Sequence, residues 1–165
     1  MGRYRPPQPK SSPYITAEGY EKLDTELKAL WKRRAYVVKI LAEAAAEGDR
    51  SENAEYIYRK KELREIDSRI RYLQKRLPDL KAVDTVPDNP DQVFFGAWVE
   101  LENEQNQTFS YRIVGPDEID SSKGYISIDS PMAKALVKKH LDDEVIVETP
   151  SGPVHYDIID VKYEQ

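Results

Sequence analysis

The chain has 165 residues, 39% of them hydrophobic and 33% charged, with two histidines, no cysteine and a formal charge of −5. The missing thiols exclude disulfides, cysteine-ligated zinc and thiol catalysis, and they are compatible with a reducing compartment. No apolar run approaches the roughly 18 residues of a membrane span, so the expectation is a soluble cytoplasmic protein with no membrane partner.

Residues 1–13 are polar and proline-rich, without the charged start and apolar stretch of a secretion signal, and read as a disordered tail. A helical hairpin is expected over residues 14–77. Thr16 stands as N-cap, with Glu18 and Glu21 near the helix's positive end. Tyr20, Leu23, Leu27, Leu30, Arg34, Val37, Leu41 and Ala44 then recur at alternating steps of three and four, which draws a coiled-coil seam. Gly48 supplies the stop, and about 30 residues at ~1.5 Å each make a rod of roughly 45 Å. A second seam runs through Tyr56, Arg59, Leu63, Ile66, Ile70, Leu73 and Leu77 and ends at Pro78. Only the segment from Gly48 to Asn53 separates the two, so they are expected to pair as antiparallel neighbours; the alternative is a coiled coil between chains.

Residues 78–90, with Pro87, Asp88, Asn89 and Pro90 clustered, read as a linker. Residues 91–165 hold β-branched and aromatic segments at Val93–Glu102, Thr108–Val114, Tyr125–Ile128, Val145–Thr149 and Val154–Val161, divided by turn residues. Between them, Ser130 as N-cap and Pro131 at the first helical position introduce a helix over Met132–Lys139. The expected fold class is α+β: a long N-terminal antiparallel coiled-coil hairpin, then a small sheet domain with one helix. Charge divides with it. Residues 1–77 carry 18 Lys/Arg against 12 Asp/Glu, and residues 78–165 carry 7 against 18, so the front half suits an anionic partner.

Chemistry concentrates at the hairpin tip, Gly48-Asp49-Arg50-Ser51-Glu52-Asn53. Two carboxylates three residues apart suit Mg²⁺, a hard cation commonly bound by one or two carboxylates plus substrate phosphates. Two ligands are an incomplete set, so the tip would complete a metal site held elsewhere, in a two-metal arrangement that activates water. Asp49 or Ser51 as a plain cap of the second helix is the structural alternative. Behind the tip, Arg59, Lys60, Lys61, Arg64, Arg69, Arg71, Lys75 and Arg76 face only four acids on the same helix. Such a stripe either contacts phosphates, with Tyr56 or Tyr58 adding stacking, or is simply a solvated face. His140 and His155 are isolated, and no glycine-rich phosphate loop exists, which argues against a triad or a nucleotide hydrolase.

Several stretches together resemble the Gre family of bacterial transcription elongation factors. They are Thr16-Ala-Glu-Gly-Tyr-Glu-Lys-Leu23, Gly48-Asp-Arg-Ser-Glu-Asn-Ala-Glu-Tyr56, Lys60-Lys-Glu-Leu-Arg-Glu-Ile-Asp67 and Arg71-Tyr-Leu73 in the front half. In the rear half they are Val93-Phe-Phe-Gly-Ala-Trp-Val99, Arg112-Ile-Val-Gly-Pro-Asp-Glu-Ile119 and Tyr125-Ile-Ser-Ile-Asp-Ser-Pro-Met-Ala133. The resemblance implies an FKBP-like rear domain that docks on RNA polymerase at its secondary channel, bound as a monomer, while the coiled coil enters the channel. It implies that Asp49 and Glu52, supported by Ser51 and Asn53, hold a second Mg²⁺ jointly with the polymerase for hydrolysis of backtracked RNA, with no metal held stably by the chain alone. Lys60, Lys61 and Arg64 match a basic patch of the family that meets the nascent RNA 3′ end, and Asp129, Ser130, Pro131 and Met132 match its docking segment. Gre-related proteins also include channel-binding regulators that do not promote cleavage, and a self-associating coiled-coil protein is the remaining alternative. Where the family often places a glycine before the acidic turn after the rear helix, this chain reads Leu141-Asp142-Asp143-Glu144.

Overall fold

The computed structural model describes residues 2, 4, 11–46 and 54–164. Two units emerge, one of residues 18–80 and one that joins the segment up to Ala17 with the chain from Lys81 onward.

The first unit is built on α1 (Ala17–Ala46) and α2 (Ala54–Arg76), followed by a 3₁₀ turn over Leu77–Asp79. Most of both seams lies inward as the spacing requires, while Tyr20 at the start of the first is exposed. Leu23, Val37 and Ala44 of α1 are buried, as are Ile66, Ile70 and Leu73 of α2 and Leu77 just beyond it. Val37, Ile66 and Ile70 form a common cluster, with Leu27, Leu30 and Leu63 packed against it. Charged pairs cross between the helices in antiparallel order: Glu26 with Arg69, Arg33 with Glu62 and Arg34 with Asp67. The pairing lies within one chain, as a hairpin demands, and no helix among the described residues is long and apolar enough to cross a membrane.

The second unit centres on a five-stranded sheet ordered β5-β4-β3-β7-β6. Its strands are β3 (Trp98–Asn103), β4 (Thr108–Val114), β5 (Tyr125–Ser127), β6 (Glu144–Thr149) and β7 (Gly152–Lys162). All neighbours are antiparallel except β4 and β5, and the register of β3 against β7 shifts between Glu100 and Leu101. Alternation in β3 turns Val99 and Leu101 inward, where they join Ile113, Ile158 and Val145. The helix α3 (Pro131–Leu136) closes this core with Ala133 and Leu136, both fully buried.

Several elements differ from the sequence expectation. Residues 81–83, expected in the linker, form strand β2 (Lys81–Val83), which pairs in parallel with β1 (Tyr14–Thr16). Thr16 ends that strand and directly precedes α1, where the helix is expected to start, and its backbone N–H and hydroxyl both donate to the Glu118 carboxylate. Ser12 and Pro13, expected in a disordered tail, are engaged as well: Ser12 N–H donates to Asp129 Oδ2 at 2.9 Å, and the Pro13 carbonyl accepts from Lys81 N–H at 2.8 Å. The strand expected from Val93 starts only at Trp98, because a turn bonds Ala97 N–H to the Phe94 carbonyl and Gly96 takes a φ of +88°. Helix α3 stops at Leu136 rather than Lys139: Val137 is already extended, Lys138 has a φ of +73°, and Lys138 and Lys139 bond to Val93 across the core. The acidic turn forms without a glycine, Asp142 itself taking a φ of +72°, a conformation Asp tolerates better than most residues.

Candidate functional site

On α2 the basic residues divide into two sets. Arg59 donates to Glu55 at 2.9 Å and to Glu62 at 2.8 Å, and Arg69 grips Glu26 of α1 through two nitrogens. From α1, Arg33 meets Glu62 and Arg34 meets Asp67, each at 2.7 Å. These cations hold the hairpin. The hydrogen bond from Arg33, supplemented by Arg59, keeps the Glu62 carboxyl below its ordinary range, and Glu55 and Glu62 together push the Arg59 guanidinium above its own.

The second set faces outward. Among the described residues Lys60, Lys61, Arg64, Arg71 and Lys75 make no ion pair, and all five are exposed. At 100° per residue, Lys60, Arg64, Arg71 and Lys75 fall within an arc of about 60°, so four cations line one edge of α2 over roughly 22 Å. Lys60 lies 5.7 Å from the centre of the Tyr56 ring. Beside this edge runs an open groove of about 550 Å³ lined by Trp31, Arg34, Arg64, Asp67, Ile70, Arg71 and Gln74. Trp31 is 46% exposed there, with the Arg34 guanidinium 6.0 Å from its ring centre. Sequence reading found the stripe but missed the groove. Its only signal was a tryptophan beside the α1 seam rather than in it.

Asp49, Ser51, Glu52 and Asn53 lie outside the described residues. Among the described residues no group of three or more His, Asp or Glu side chains could hold a metal ion. In the second unit the expected docking segment is brought to one corner but its members differ in duty. Ser130 caps α3 by accepting from Ala133 N–H at 3.2 Å, Pro131 follows at the first helical position, and Met132 packs partly against the sheet core. Asp129 and Pro131 are exposed. One Asp129 oxygen already accepts from Ser12, a contact that links this corner to the start of the chain and that spacing could not foretell. His140 and His155 sit against Asp143 and Glu144 at 3.7 and 3.0 Å, well apart from the stripe in sequence and in a separate unit.

A charged two-helix hairpin carrying an outward cationic edge, followed by a sheet domain with an exposed helix-capping corner, defines a two-unit binding factor. The family model "Transcription elongation factor, N-terminal" matches residues 13–81, and "Transcription elongation factor, GreA/GreB, C-term" matches residues 87–163. The transcription elongation factor GreB of Pseudomonas aeruginosa is 56% identical over 164 residues, covering 99% of this chain and 98% of that protein. GreB of Yersinia pestis is 57% identical over 153 residues, covering 92% and 90%. The chain belongs to the GreA/GreB family of transcription elongation factors. A solved structure of the transcription factor Gfh1 aligns at 25% identity over 93% of this chain and 99% of its own, with a TM-score of 0.44, and bears no weight in this assignment.

Proposed function

We propose that the chain acts on RNA polymerase in the cytoplasm, entering its secondary channel with the hairpin and stimulating hydrolytic cleavage of backtracked nascent RNA. The observation that carries this reading is the division of cations on α2: Lys60, Lys61 and Arg64 stay outside the network that holds the hairpin, on the part of the helix that follows the acidic tip. A cationic edge leading to Asp49 and Glu52 can hold the 3′ segment of an RNA strand while the carboxylates meet the scissile phosphate's metal. Asp49 and Glu52 would hold Mg²⁺ jointly with the polymerase, where it supplies an activated water and charge stabilisation of the leaving oxygen. Two hard oxygen donors fit that ion, and they leave it incomplete without the partner. Ser51 and Asn53 would support the tip. Asp129 and Pro131 offer the second unit's contact to the polymerase, with Ser130 and Met132 fixing their corner from beneath. The chain is thus a catalytic accessory bound as a monomer, with no hydrolase activity of its own.

The test is Asp49→Asn with a stalled, backtracked elongation complex. The amide keeps the size and capping ability of the side chain but removes the anionic oxygen. Release of short 3′ RNA fragments should fall at least 100-fold, in the range seen when a catalytic electrostatic group is removed, while polymerase binding holds. Glu52→Gln should give a similar or milder loss. Full cleavage by both variants would remove the tip from the chemistry, and binding without fragments by the parent would make the chain a channel regulator instead.

A further inference from the structure

We propose that the groove between Trp31 on α1 and Arg64 and Arg71 on α2 is a subsite for single-stranded RNA, with a base stacked on Trp31 and phosphates against the two arginines. The identity of the polymer rests on the functional reading above; the site itself stands on its own geometry.

Trp31 is the starting point. An indole placed beside a seam rather than in it gains little from hairpin packing, yet 46% of Trp31 remains exposed. Arg34, the next seam position, is tied to Asp67 at 2.7 Å and sets its guanidinium 6.0 Å from the indole centre. Asp67 is thereby neutralised, so the groove's remaining charges are those of Arg64 and Arg71, which have no ion pair among the described residues. Lys60 and Lys75 extend the same edge to either side. The floor is apolar at Ile70 and polar at Gln74. A space of about 550 Å³ falls in the range of small-molecule sites.

This set matches one ligand chemistry best. A flat aromatic face accepts any base, neighbouring guanidinium groups accept phosphates, and the pairing of the two is the usual design for sequence-tolerant binding of a single strand. An acidic protein segment would satisfy Arg64 and Arg71 but would add nothing to the exposed indole, whose ring partner within the chain is the Arg34 guanidinium. The position extends the edge containing Lys60 and Arg64 away from the tip, so a strand held there would lengthen the grip without touching the chemistry.

The experiment uses the full chain with Trp98→Phe, which leaves Trp31 as the sole tryptophan, and a single-stranded RNA ten-mer at low salt. RNA should quench the Trp31 emission at the same concentrations that raise the anisotropy of end-labelled RNA. Trp31→Leu, made in the otherwise unaltered chain and read by anisotropy, should weaken binding about 5- to 150-fold, the range for one stacked base, with Trp31→Phe intermediate. Arg71→Gln should instead lower the slope of log affinity against log salt by about 0.7, the value for one phosphate on a single strand. Unchanged emission at saturating RNA, equal binding by Trp31→Leu and parent, no binding by the parent, or equal competition by an oligoglutamate peptide would each overturn the proposal. These readouts use neither polymerase nor cleavage, so failure of the cleavage reading and failure of the subsite remain separate results.

Discussion

Replacing Gly115 with alanine tests how the start of the chain is fastened to the sheet domain. Gly115 has an ordinary φ of −74°, so its backbone would accept any residue. Space is what forbids one: a Cβ would sit 2.0 Å from the Tyr14 carbonyl oxygen and 3.1 Å from its carbon. Both are backbone atoms of β1, so no side chain can swing away. Either β1 or the turn after β4 must shift, and with it goes what β1 buries. Ile15 is fully buried, a contribution of about 1.5–3 kcal/mol. The Glu118 carboxylate accepts from Thr16 N–H at 3.0 Å and Gly115 N–H at 2.9 Å, charge-assisted bonds worth on the order of 1.5–3 kcal/mol when geometry is kept. Partial relaxation leaves an expected loss of about 2–4 kcal/mol, or roughly 10–20 °C in melting temperature for a unit of this size. Hydrogen exchange should quicken at Thr16 and Lys81, the donors on either side of the β1–β2 pair. Gly96→Ala is the control: its φ is +88° but nothing lies within 4 Å of the new methyl, so it should cost only about 1–2 kcal/mol of backbone strain. Gly115→Ala melting within 2 °C of the parent (about the resolution implied by a 0.5 kcal/mol change) with unchanged exchange would refute the steric argument.

The other expectations address the turn, the hairpin and the stripe. Asp142→Val should cost about 1–2 kcal/mol, because a β-branched residue is a poor fit to the φ of +72°, whereas Asp142→Gly should cost nothing; equal urea midpoints for the two would count against the strain. Glu62 has its carboxyl pKa held down by Arg33, so its stabilising increment is present above the ordinary carboxylate range and is lost as pH falls through the lowered value. Helix content followed on acidification should therefore decline for the parent over a range where Glu62→Gln, already lacking the charge, changes less. Lys60→Glu combined with Lys61→Glu should cut crosslinking to the RNA 3′ end while sparing binding to polymerase free of nucleic acid; parallel loss of both would break the proposed division between hairpin and sheet domain.

Periodic features were legible in the sequence because burial has a period. Alternate steps of three and four located both seams, and the interior of the structure uses those positions, with Val37, Ile66 and Ile70 at the centre. The Ser130-Pro131 signal also named its helix start correctly, since capping is decided within one turn. What spacing could not supply were pairings between distant segments. β1 and β2 are three residues each, too short to show alternation, and they form a strand pair only because residues 14–16 and 81–83 meet. Thr16 carries a good cap residue's chemistry and stands directly before α1, but nothing in its spacing foretells that its hydroxyl donates to Glu118, 102 residues away. Val93, though apolar and β-branched, is fully buried without belonging to a strand, because its backbone is satisfied by Lys138 and Lys139 at the end of α3.

The same limit governs the candidate site. A count of cations treats Arg59, Lys60, Lys61, Arg64 and Arg69 alike, so the sequence leaves a phosphate track and a solvated face as two readings of one stripe. Partners separate the cations that hold the hairpin from those that do not. Arg59 and Arg69 lie beside carboxylates and spend their charge within the hairpin, and removing either leaves an acid unpaired. The outward residues have no such tie, and side chains that are not already committed lose less on meeting a new anion. The outward residues run Lys60, Lys61, Arg64, Arg71 and Lys75, and under the proposed reading the two arginines, whose planar forks bind phosphate with fixed geometry, would grip a strand that the lysines on either side attract as point charges.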